Sequence, residues 1–134
     1  SGADAIRRSY ESGTNIFGEP VAMMFRREAM HAALPWIDDK PYVLDIMFAT
    51  NVICGSSLVV RRNSIGAFRI SSSSWSTQLA RLQKRQFQTW QEYAEELVGP
   101  LSPGTRLRGR LALEFQTQLR RAAYVLLRLR GRLT

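Results

Sequence analysis

Cysteine is almost missing from this chain. Cys54 is the only one in 134 residues, which excludes an intrachain disulfide and any cluster of thiolate metal ligands. A single thiol fits a buried structural role in a reducing compartment. Histidine is as scarce: His31 stands alone, and without a spaced carboxylate or cysteine partner it is a weak ligand candidate. No apolar run approaches the roughly eighteen residues needed to cross a bilayer, and nothing at the N-terminus resembles a signal peptide. There is no internal repeat. The chain opens on Ser-Gly-Ala without a methionine, so we expect a processed product or an excised piece. Hydrophobic content of 45% and aromatic content of 10% nevertheless describe a globular domain.

Acid is missing from one region in particular. From residue 106 onward eight arginines face the single acid Glu114, which gives +7 of the net charge of +8 and leaves about +1 for everything before. The basicity therefore belongs to a tail. No aromatic stacking platform accompanies these arginines, so nucleic acid is not an expected partner.

What is present falls into helical and strand-like stretches. The opening residues form a short helix ended by Gly13. Gly18 and Pro20 mark a turn, residues 21–25 are an apolar run of strand length, and residues 26–33 read as a helix closed by Pro35. Residues 57–60 and 65–70 predict a β-hairpin around Arg61-Arg62-Asn63-Ser64. A serine cluster, residues 71–74, leads into a long helix over 77–98, with Leu79, Leu82, Gln86, Trp90, Tyr93 and Leu97 on its apolar face. Residues 99–104, Gly-Pro-Leu-Ser-Pro-Gly, break the chain before a last helix over 106–130. That helix carries an apolar stripe through Leu107, Leu111, Phe115, Leu119, Leu126 and Leu133, bordered by arginine. It either packs on a missing partner or lies on an anionic membrane through Arg106, Arg108, Arg110, Arg120, Arg121, Arg128 and Arg130.

The centre is Tyr-Val-Leu-Asp-Ile-Met-Phe-Ala-Thr-Asn-Val-Ile-Cys-Gly, residues 42–55. Apolar residues at helical spacing predict a largely buried helix whose only carboxylate is Asp45. An acid there has two explanations. Placement in the first turn is favoured by the helix dipole, by about 0.3–1 kcal/mol. Alternatively, Asp45 is a base aimed into a cleft. The adjacent Asp38 and Asp39 would point different ways on a regular element and read as a turn or cap.

Taken in order, GEPVAMMFRREA, the WIDD loop, VLDIMFATNVICG, a hairpin ending GAFRI and SSSSWSTQLARLQKRQF resemble the second half of family-2 glycosyltransferases. These are inverting enzymes of the GT-A fold that use nucleotide-sugar donors. The resemblance covers residues 15–87, and departs from the family pattern at Leu44, Met47, Asn51 and Ser71. It implies an α/β class: a helix-rich partial GT-A domain with a small β-hairpin and long C-terminal helices. Residues 1–98 would be its acceptor-side half, 99–104 a linker, and 105–134 a basic amphipathic helix. It implies that Asp45 is the general base and faces a cleft beside the turn at Gly18, Glu19 and Pro20. Arg69, Ser71 and Trp75 would complete the substrate-binding set. A divalent metal, Mg or Mn, is expected in the intact enzyme, with ligands outside this chain. The expected partners are a nucleotide-sugar donor, a sugar or lipid-linked acceptor and an anionic membrane surface. The location implied is cytoplasmic, peripheral at the inner face of the membrane. The rival is a non-enzymatic helical module for interaction or membrane-surface binding that needs only the last helix.

Overall fold

The computed structural model describes residues 1–37, 39–61 and 74–131, without the side chains of residues 75 and 76. Six α-helices and one 3-10 turn make up its regular structure: α1 (Gly2–Ser12), the turn Pro20–Ala22, α2 (Arg27–Ala32), α3 (Leu44–Cys54), α4 (Trp75–Gln78), α5 (Gln83–Val98) and α6 (Pro103–Leu129).

Helix α1 starts on a capping box. The Ser1 hydroxyl accepts from the Asp4 backbone N–H at 3.3 Å, and the Asp4 carboxylate reaches back to the N-cap backbone. It stops at Gly13, whose φ of 63° is the left-handed conformation that favours glycine at a helix end. Ile6, Ser9 and Tyr10 are buried, and the helix packs against α3, α5 and α6. So α1 is the hub of the bundle.

Helix α3 is buried nearly all round, from Ile46 to Ile53, as its apolar sequence predicts for an element enclosed on every side. Trp90 of α5, fully buried, ties into it: its indole N–H donates to Thr50 Oγ1 at 3.0 Å, and the Thr50 hydroxyl donates to the Ile46 carbonyl at 2.6 Å. Gln91 of α5 donates to the Tyr10 carbonyl at 3.1 Å, and Gln86 accepts the Tyr42 backbone N–H at 2.7 Å. These polar groups fix the three helices relative to one another without leaving a buried side-chain donor or acceptor unpaired among the described residues.

The expected α/β architecture is not what the chain adopts. Among the described residues there is no strand. The run at 21–25 opens as the 3-10 turn with Pro20 at its start, and Val21 and Met24 are 71% and 92% exposed. Residues 57–60 have no strand partner among the described residues, with Val59 and Val60 facing solvent. The second hairpin segment, 65–70, lies outside the described residues. The physical reason is that α1, α2 and α5 pack on α3 and bury its surface, so no layer remains for a sheet to cover. The long helix expected over 77–98 is also divided: residues 79–82 form turns, and the buried side of α5 is Gln83, Gln86, Phe87, Trp90, Gln91 and Ala94. Leu82 and Leu97, expected on the buried face, are exposed.

Candidate active-site cleft

Asp45 lies in the first turn of α3, where its carboxylate accepts a hydrogen bond from its own backbone N–H, while the N-cap residue Val43 supplies no side-chain cap. Asp45 also lines a cleft of about 410 Å³ together with Asn15, Gly18, Glu19, Tyr42, Arg120 and Tyr124. Three local features position these groups. The Asn15 side chain accepts from the Phe17 backbone N–H at 2.9 Å and donates to the Gly18 carbonyl at 3.1 Å, an Asx-type turn that presents Glu19. Phe48 of α3 stacks on Trp36 at 4.2 Å between ring centroids and meets Phe25 edge-on at 5.7 Å, which holds the 25–36 segment onto α3. Arg120, from the inner side of α6, donates to the Tyr42 hydroxyl at 2.8 Å and to the Gly13 carbonyl at 3.4 Å.

The cleft shifts its acids upward. Burial pushes the Asp45 carboxyl above its ordinary value, a rise only partly offset by a hydrogen bond from its own backbone. Burial raises Glu19 as well, and the Asp45 charge adds to that rise. Tyr42 is raised by burial, with Arg120 pulling the other way. Among the described residues Asp45 forms no ion pair with lysine, arginine or histidine, although Arg120 borders the same cleft. No group of three or more His, Cys, Asp or Glu side chains converges among the described residues. Glu19 and Asp45 by themselves do not fit a resident divalent cation, which needs more oxygen ligands than two carboxylates supply.

Of the residues singled out from sequence, Gly18, Glu19 and Asp45 come together here. Pro20 begins the 3-10 turn that follows Glu19 and does not line the cleft. Arg69 and Ser71 lie outside the described residues, as does the Trp75 side chain, while its neighbour Ser74 borders the cleft. His31 is exposed on α2. The arginines assigned to a membrane surface divide. Arg106 pairs with Glu95, its Nε donating at 2.8 Å, and Arg120 turns into the cleft. Arg108 leans toward Glu11 at 3.6 Å, whereas Arg110, Arg121, Arg128 and Arg130 are exposed.

Sequence reasoning missed Tyr42, Arg120 and Tyr124 as cleft residues. A signal for the last two existed. Leu113, Thr117, Arg120 and Tyr124 recur at four- and three-residue steps, a second helical face behind the apolar stripe. No family model, curated protein or solved structure matches the chain.

Proposed function

We propose that this chain supplies the acceptor-activating carboxylate of an inverting glycosyltransferase. Asp45 is the general base, the donor is a nucleotide-sugar, and the acceptor is a sugar or lipid-linked hydroxyl. The observation that carries the proposal is a half-buried carboxylate in a cleft, not ion-paired among the described residues. An acid kept for stability would gain from a partner, since burying a charge is costly unless it is paired. An acid kept for proton transfer gains from having none.

A sugar hydroxyl is a poor nucleophile until its proton leaves. The Asp45 carboxylate takes that proton as the acceptor oxygen attacks the anomeric carbon. The bond from that carbon to the phosphate oxygen breaks, and the nucleoside diphosphate departs from the opposite face. One displacement inverts the anomeric configuration and needs no covalent enzyme intermediate. Burial makes the Asp45 anion a stronger base than an exposed aspartate, which general-base catalysis exploits. Arg120 gives the cleft a positive charge that suits a phosphate-bearing reactant. Any divalent cation would be held by ligands outside the described residues, and no step here passes through it.

Asp45→Asn in the complete transferase, with its donor-binding part, tests the assignment. Transfer falls by about two to four orders of magnitude, the usual worth of a positioned base, while the donor binds as before. An Asn variant with near-normal transfer would place the base elsewhere.

A further inference from the structure

Helix α6 has two faces, and the bundle uses only one. Gly109, Leu113 and Thr117 are buried, with Gly109 so close to Tyr10 that a Cβ would lie 2.5 Å from its ring. The opposite face is apolar and open: Leu107, Leu111, Phe115, Leu119, Leu126 and Leu129 are between 48% and 80% exposed. They follow one another at four- and three-residue steps except across the seven residues from Leu119 to Leu126, where the exposed Ala122 keeps the face apolar, so they form one continuous stripe. At 27 residues α6 is about 40 Å long, against about 16 Å for the 11-residue α1 that packs on it. Its C-terminal part therefore extends past that support.

The charge beside the stripe is mostly of one sign. Arg110, Arg121 and Arg128, separated by about three and two turns, fall in a row along one border and are exposed. The only acid on the helix, Glu114, is paired with Lys84 of α5. No helix of the described chain is long and apolar enough to cross a membrane. A second copy is a poor occupant, because packing stripe on stripe would set arginine rows against each other with only Glu114, already paired with Lys84, to answer them. An anionic leaflet matches both features: acyl chains for the stripe and headgroup phosphates for the arginines.

We infer that the outer face of α6 is a docking surface for an anionic lipid bilayer, on which the helix lies in the plane of the interface. This does not depend on the role of Asp45.

The test is sedimentation of the full chain with vesicles of phosphatidylcholine alone or mixed with phosphatidylglycerol, at about 0.1 M and 1 M salt. Each basic residue near such a surface contributes roughly fivefold to partitioning. The expected preference for anionic vesicles is therefore at least tenfold at 0.1 M, and it shrinks at 1 M, where the Debye length is only about 3 Å. The double variant Arg121→Glu/Arg128→Glu should lose about twenty-five-fold or more, and Phe115→Asp should lose binding too, each with unchanged helical circular dichroism. Equal sedimentation with neutral and anionic vesicles overturns the proposal. So does an undiminished double variant. A dimer in sedimentation equilibrium that Phe115→Asp dissolves, without vesicle binding by the parent chain, would assign the face to a second copy instead.

Discussion

Replacing Gly13 by alanine should loosen the bundle and the cleft together. Gly13 ends α1 at φ 63°, where a residue with a Cβ costs about 1–2 kcal/mol. It also sits directly against α6. A Cβ added there would lie 2.3 Å from the Leu113 backbone nitrogen and 2.6 Å from the Ala112 carbonyl carbon. Those are backbone atoms in a helix interior, so one helix must move, and overpacking of this kind costs about 1–3 kcal/mol more. The expected loss is about 2–5 kcal/mol, a large part of the roughly 5–15 kcal/mol that holds a domain folded. In urea, with a slope of about 1–3 kcal/mol per molar, the unfolding midpoint should fall by about 1 M or more. Gly13→Asn separates the two contributions. Asparagine tolerates the left-handed region, so it escapes most of the first cost but not the collision. If Asn restores nearly all the stability, or if neither variant shifts the midpoint by more than about 0.3 M, then α1 and α6 do not approach as closely as described. Because Arg120 bonds to the Gly13 carbonyl, the same wedge should weaken its hold on Tyr42.

Two further substitutions probe the core and the cleft. Thr50→Val leaves the fully buried Trp90 indole N–H without its acceptor and should cost about 1–3 kcal/mol in urea unfolding, whereas Thr50→Ser, which keeps the hydroxyl, should cost less. Asp45→Asn should stabilise the fold at neutral pH. The folded-state carboxyl is raised above 3.8, so the unfolded chain releases its proton first, and stability falls as pH climbs from about that value through the folded pKa. The thermal midpoint of the Asn variant should therefore exceed that of the parent at pH 7, and the gap should close below about pH 3.8.

Much of the helical framework was legible in the residues themselves. Gly13 marks the end of α1, the apolar run around Asp45 gives the buried α3, and the Gly-Pro-rich segment 99–104 marks the break before α6, which starts inside it at Pro103. Each of these signals is local, so no knowledge of neighbours is needed to read it. The sheet was misread because strand-like apolar runs are informative only if another layer covers them. Val21, Met24, Val59 and Val60 have none and remain in solvent. The cleft was half legible: the turn at Gly18 and Glu19 and the cleft-facing carboxylate on α3 were anticipated, but the wall from α6 was not. The inner side of that helix is built from Gly109, Leu113 and Thr117, of which only leucine registers as strongly apolar. Arg120 looks like one more surface arginine until packing turns its long side chain inward.

The claim at the centre of the account is that Asp45 is an unpaired carboxylate held in a cleft, not an acid placed to satisfy a helix end. NMR titration of its side-chain carboxyl in the full chain separates the two directly. A cleft base titrates above 3.8, because burial raises it and no cation holds it down. Glu19→Gln should leave that midpoint above 3.8, since burial is the leading cause of the shift. A midpoint at or below 3.8 would mean that the helix dipole or a cationic partner governs Asp45, and the proposed base would be lost.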